Sequence, residues 1–215
     1  MHRKILFCSM AVVAALPAAL QAGAGGSGST DWSVAAPVTE VNSAVADGCP
    51  IESPDGLSLY IASTRPGTFG GNDIWPADRL NKEAPFSTPQ NLGAPVNTDA
   101  NDFCPTPLDG RWLMFVSERA GEGTCNSGPG RGDIYLIRQN AAFGWSEPRH
   151  LGCIESGTGP NSAGAEFSPS LVKTKQGTFL YFWSTASGNM EIYMSRQRQN
   201  GSFEAPVPVT ELNTE

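Results

Sequence analysis

Charge is scarce in this sequence, at 16% of 215 residues, and histidine is nearly missing, with only His2 and His150. The basic side is the weaker one, 14 Lys and Arg against 21 Asp and Glu. A chain short of positive charge lacks the footprint that nucleic acid or an anionic membrane surface requires. One histidine outside the extreme N-terminus excludes a multi-histidine metal site within the chain. There is no Cys-x-x-Cys and no Cys/His cluster of zinc spacing, and no Gly-x-Ser-x-Gly nucleophile elbow. Beyond residue 22 no stretch keeps a helical period, and none is apolar enough to span a bilayer. A helical fold and membrane insertion are both disfavoured.

What remains is rich in Gly (24) and Pro (17), a mix that suits a turn-rich all-β chain. Residues 1–22 read as a secretory signal peptide. Arg3 and Lys4 precede the apolar run Ile5–Leu16, and small residues lead to cleavage after Ala22 or Ala24. Residues 23–31 read as a flexible linker. Without Arg3 and Lys4, 12 of the 14 basic residues stay against 21 acidic ones, a net charge of −9. The expected location is secreted or periplasmic. Cys49, Cys104, Cys125 and Cys153 remain, an even number that favours disulfides in an oxidising compartment.

One pattern returns along the chain. Ser63-Thr64-Arg65 leads through glycines to Asp73-Ile74-Trp75; Ser117-Glu118-Arg119 leads to Asp133-Ile134-Tyr135; Ser184-Thr185-Ala186 leads to Glu191-Ile192-Tyr193. A second line of repeats starts at Trp32, Phe86, Trp145 and Phe203, spaced by 54, 59 and 58 residues. Asp55-Gly56 and Asp109-Gly110 supply tight hairpin turns. Strands are predicted at 57–63, 73–77, 112–117, 133–138, 179–184 and 191–196. Four short strands per period predict a β-propeller with four-stranded antiparallel blades, at about 42–92, 97–151 and 161–209, preceded by a leading strand at 32–38.

The runs Ser53-Pro54-Asp55-Gly56, Leu59–Gly67 and Gly71–Trp75 resemble the WD-repeat-like propeller repeat of TolB-type bacterial exported proteins. The resemblance covers residues 32–215. It implies a propeller and no catalytic residues, since that repeat is structural. Three blades do not close a ring, so the reading is a partial or open propeller: a piece of a longer protein, an open arc, or half of a homodimeric ring.

Residues that repeat are expected to be structural. Arg65 with Asp73, and Arg119 with Asp133, read as ion pairs inside a blade or as caps on loop amides; Glu191 replaces the aspartate in blade three. His150 sits on the outermost strand, where alternation points it at solvent. Asp55 and Asp109 read as turn residues, although with Glu52 and Glu166 they are also the carboxylates that a propeller glycosidase would place near its channel. Cys125 and Cys153 fall in loops on one face, so a disulfide between them is allowed. Cys49 and Cys104, at matching places on neighbouring inner strands, either bridge two blades or stay as buried thiols.

The function expected from these residues is recognition without chemistry, by an exported non-enzymatic module binding a protein or a cell-envelope glycan, with no cofactor and no metal. The binding face would carry Arg65, Phe69, Asn72, Arg119, Asn126, Arg131 and Asn161, because loops present variable side chains on a rigid support. The alternatives are a secreted propeller glycoside hydrolase using channel carboxylates, or the propeller part of a serine peptidase whose catalytic domain lies elsewhere.

Overall fold

The computed structural model describes residues 33–121, 125, 131–140 and 144–214. The leader, the linker, Trp32 and Asn126 lie outside the described residues. Residues 1–36 form a unit of their own, of which only 33–36 are described, without regular structure. The rest of the chain, Pro37 onward, is all-β, with eleven strands and no helix among the described residues. None therefore contains a helix long and apolar enough to cross a membrane.

The strands form three antiparallel sheets, each from one continuous stretch of chain. Sheet one holds β1 (Asp47–Glu52), β2 (Ser58–Ser63) and β3 (Asp73–Asp78). Sheet two holds β4 (Asp102–Leu108), β5 (Trp112–Ser117), β6 (Asp133–Arg138) and β7 (Arg149–His150). Sheet three holds β8 (Glu166–Thr174), β9 (Gly177–Ser184), β10 (Glu191–Arg196) and β11 (Val207–Pro208). Sheet one also has a fourth chain segment along β3. Ser87, Gln90 and Leu92 donate to the carbonyls of Asp78, Pro76 and Ile74. Pro89 lacks the N–H that a continuous ladder would need. Residues 33–38, the described part of the expected leading strand, carry no strand.

The first strands stand side by side, β1 against β4 and β4 against β8. Each carries a bulge, between Gly48 and Ile51, Phe103 and Thr106, and Phe167 and Ser170. At each bulge a non-glycine residue has positive φ and precedes a proline: Cys49 (48°), Cys104 (47°) and Ser168 (50°). An extra residue in one strand turns the chain and re-aims side chains. Three bulges in register therefore present the same face of each first strand to a common opening, lined by Cys49, Cys104 and Ser168 with their prolines.

Apolar faces of successive sheets close on one another. Ile74 and Val96 from sheet one's side pack with Leu113, Phe115, Tyr135 and Ile137 of sheet two. Met114, Val116, Ile134 and Leu136 on the opposite face of sheet two pack with Leu180, Phe182 and Phe203 of sheet three. The alternation of β5 and β6 explains this, since both faces of the middle sheet are buried. Burying such a side chain contributes about 1.5–3 kcal/mol each, so these two layers hold the sheets together.

Candidate functional site

Each first strand opens with a carboxyl: Asp47, Asp102 and Glu166. Four residues upstream of each stands a hydroxyl residue that binds it. Ser43 donates through N and Oγ to Asp47 at 2.7 and 3.1 Å. Thr98 does the same to Asp102 at 2.6 and 2.7 Å, and Ser162 to Glu166 at 3.0 and 2.5 Å. Because β1, β4 and β8 are neighbours, the three acids form a row at one end of the sheets.

The row is not uniform. Arg65 reaches Asp47 at 2.7 Å and also donates to Ser63 Oγ and the Val41 carbonyl. Arg119 reaches Asp102 at 2.8 Å and donates to Ser117 Oγ and to the carbonyls of Pro95 and Val96. In sheet three the residue in the arginine position is Ala186, and Glu166 receives only hydroxyls and an amide, from Ser162 and from Ser184 Oγ at 2.7 Å. Burial raises the Asp47 carboxyl, but hydrogen bonds from Ser63, Arg65 and Ser43 outweigh it and hold the group down at about 2. Burial raises Glu166 to about 7; the serine hydrogen bonds oppose this, and the nearby Asp133 adds to it. At neutral pH Asp47 is an anion and Glu166 is poised to hold a proton. Glu166 is fully buried, under the chain segment that includes Ser162.

These contacts correct the expected pairing of Arg65 with Asp73 and of Arg119 with Asp133: both arginines turn to the first strand instead. Asp73 is the loop cap that was the other expectation. It accepts from Phe69 N at 2.8 Å and Asn91 Nδ2 at 2.6 Å. Asp133 accepts from Cys125 N at 3.1 Å.

His150 is also corrected. It does not point to solvent but lies half-buried, with Nε2 3.0 Å from Asp133 Oδ2. The Gly152 N–H donates to Nδ1 at 3.1 Å, which puts the proton on Nε2 and lets it donate to Asp133. In sheet one Asn91 makes the same bridge. Its Nδ2 donates to Asp73, and its Oδ1 accepts from Gly93 N and Asn97 Nδ2. The repeat positions Asn91-Leu92-Gly93 and His150-Leu151-Gly152 carry this equivalence in the sequence. His150 is a structural bridge in the same place as an asparagine.

The expected binding face is largely spent on structure. Arg65 is buried and Arg119 half-buried in the ion pairs above. Asn161 is fully buried and bridges both backbone groups of Ile134. Asn72 is half-buried and donates its N–H to Asn101 Oδ1. Phe69 is 61% exposed and Arg131 is exposed. Asn126 lies outside the described residues. Glu191 is half-buried and accepts from Tyr193 Oη at 3.3 Å.

Cys125 and Cys153 form a disulfide. His150 lies close to both sulfurs, but sulfurs joined to each other do not serve as thiolate ligands. Cys49 and Cys104 are free thiols with sulfurs 2.9 Å apart. A cleft of about 620 Å³ lies elsewhere, with Met114, Leu136 and Phe203 among its lining. None of the three row acids lines it.

No protein-family model matches the chain, and no curated protein matches it either. Solved structures do. An endo-arabinase from Bacteroides thetaiotaomicron matches with a TM-score of 0.51 and 17% identity, over 77% of this chain and 61% of its own. An alpha-L-arabinofuranosidase from Lactobacillus brevis matches at 0.47 and 16%, over 77% and 54%. The GH43 BlXynB protein from Bacillus licheniformis matches at 0.46 and 18%, over 81% and 32%. The chain thus spans less than two thirds of each of these proteins. The first match establishes a shared fold. It also corrects the expectation of a non-enzymatic binding module, which rested on reading this repeat as purely structural: the fold is shared with an endo-arabinase.

Proposed function

We propose that the three sheets are three blades of a partial β-propeller and that the chain belongs to a secreted or periplasmic glycoside hydrolase. The observation that carries this is the acid row, in which Arg65 and serine hydrogen bonds hold one carboxyl ionised while burial without an arginine raises another to about 7. Glycoside hydrolysis needs that division, an acid to protonate the leaving oxygen and a carboxylate to act as base or nucleophile. Asp47, at the exposed rim, takes the carboxylate role. Glu166 takes the acid role, with Ser162 and Ser184 orienting its oxygens. Asp102, locked to Arg119 and buried, fixes the geometry between them. The segment over Glu166 has to move for substrate to reach it.

The substrate class is a glycan, and a polymer of arabinose is the first to try, given the endo-arabinase that shares the fold. The test is release of reducing ends from arabinan, with xylan and a glucan alongside, by the chain and by its Glu166→Gln and Asp47→Asn variants. The expected result is hydrolysis of at least one polymer and a loss of 100-fold or more in each variant, in line with the roughly 10²–10⁴-fold that general acid–base groups contribute. No hydrolysis of any polymer, or full activity in Glu166→Gln, overturns the assignment.

A further inference from the structure

The opening between the first strands holds a cluster that the hydrolytic reading does not use. Cys49 Sγ lies 2.9 Å from Cys104 Sγ, and Cys104 Sγ lies 3.6 Å from Ser168 Oγ. The three residues sit at the same bulge position of β1, β4 and β8. Each is held at positive φ before a proline, a conformation that costs a non-glycine residue of order 1 kcal/mol or more and persists only where its surroundings enforce it. Cys49 is exposed and Cys104 is 8% exposed.

Two uses of a thiol pair can be separated by distance. Two thiolates on a tetrahedral zinc, each at about 2.3 Å, stand about 3.8 Å apart. These sulfurs are nearly an ångström closer than that, and no histidine or carboxylate joins them in a metal-ligand group among the described residues. A disulfide requires about 2.05 Å, a short approach from 2.9 Å. We propose that Cys49 and Cys104 are a dithiol–disulfide couple, which a small exogenous disulfide closes into a clasp between the first and second sheets.

The geometry divides the roles. The hydrogen bond from Cys49, with a further one from Ser168, lowers the Cys104 thiol to about 6 against the effect of burial. Cys104 is therefore the thiolate and Cys49 the accessible thiol. A disulfide RSSR meets Cys49, whose sulfur attacks one sulfur of RSSR while its proton passes to Cys104. RS⁻ leaves, and Cys49 carries a mixed disulfide. The departing RS⁻ takes the proton from Cys104, and the Cys104 thiolate attacks Cys49 Sγ. The second RS⁻ leaves and is protonated by solvent. The two cysteines lose two electrons, and RSSR is reduced to two RSH. Ser168 keeps Cys104 ionised and is a positioning residue.

The clasp would close a loop 55 residues long, so it raises the midpoint of thermal unfolding by about 10 °C in a chain of this size. The experiment treats the chain freed of residues 1–22, and so of Cys8, with oxidised glutathione at pH 7.5, then counts thiols and maps peptides without reduction. The expected result is a fall from two free thiols to none, a peptide linking Cys49 to Cys104, and a raised melting midpoint. Cys49→Ser, at an exposed position that needs no repacking, should lose both the link and the thermal shift while keeping the Cys125–Cys153 peptide. Two thiols that persist, or separate glutathione adducts on Cys49 and Cys104, overturn the proposal. So does a link found without any thermal shift. All these readouts are independent of hydrolysis, and their outcome leaves the hydrolase assignment to its own test.

Discussion

Sheets two and three solve the same local problem in opposite ways. Both begin their first strand with a fully buried carboxyl held by a hydroxyl residue four positions upstream. In sheet two Arg119 completes the site, and Asp102 sits against a guanidinium 2.8 Å away. In sheet three the chain offers Ala186 instead, and Glu166 is left with serine hydroxyls and a backbone amide. An arginine offsets the desolvation of an anion; a methyl group does not. Where the repeat loses its arginine, and carries Glu in place of Asp, a fixed ion pair gives way to a group whose charge depends on pH.

The comparison breaks most visibly if Arg119 is removed. Arg119→Ala leaves Asp102 buried without its counter-ion, and a loss of about 3–5 kcal/mol is expected in urea unfolding. Arg65→Ala, whose partner Asp47 lies at a solvent-facing rim, should cost about 1 kcal/mol or less by the same measurement. Reduction of the loop disulfide falls between these. Cys125 and Cys153 close 28 residues, and a Cys125→Ala/Cys153→Ala double variant should lose about 3 kcal/mol.

The pH dependence sharpens the contrast. Glu166 has a folded-state value of about 7 against an ordinary 4.5. Its contribution to stability is full below pH 4.5 and is lost as pH rises through 7, by about 3 kcal/mol in total. Glu166→Gln should flatten that fall in urea midpoints measured from pH 4 to 8. Asp47 has the opposite sign. Its value lies below the ordinary 3.8, at about 2, so its contribution is present above pH 3.8 and lost as pH falls toward 2. Asp47→Asn should remove that acid-side loss.

The strand pattern was legible because it repeats. Trp112–Ser117, Asp133–Arg138 and Glu191–Arg196 are strands over the predicted residues. The turn of sheet three was not, since it lacks an Asp-Gly step; there Thr174 pairs with Gly177, whose φ of 141° makes the turn. The arginine partners were misread for a reason of symmetry. Ser63 stands opposite Asp47 on one side and Asp73 on the other, and Ser117 stands likewise between Asp102 and Asp133. Residue order favours the nearer acid in the next strand, and only the side-chain direction across the sheet selects the other. The acid row was only partly visible: Glu166 was one of four carboxylates considered for a channel, with Glu52, Asp55 and Asp109, while Asp47 and Asp102 gave a signal only through the Ser/Thr four residues before each. The Cys125–Cys153 link followed from loop placement, and the 2.9 Å approach of Cys49 and Cys104 from their matching positions.

The hydrolase assignment stands on one carboxyl of the row being held ionised while another, without an arginine, is raised to about 7. The direct measurement is a carboxyl ¹³C titration by NMR on chain labelled at Asp and Glu, with Glu166→Gln and Asp47→Asn used to assign the two resonances. The expected result is a midpoint near 7 for Glu166 and near 2 for Asp47. A Glu166 resonance that titrates at its ordinary value of 4.5 would contradict it.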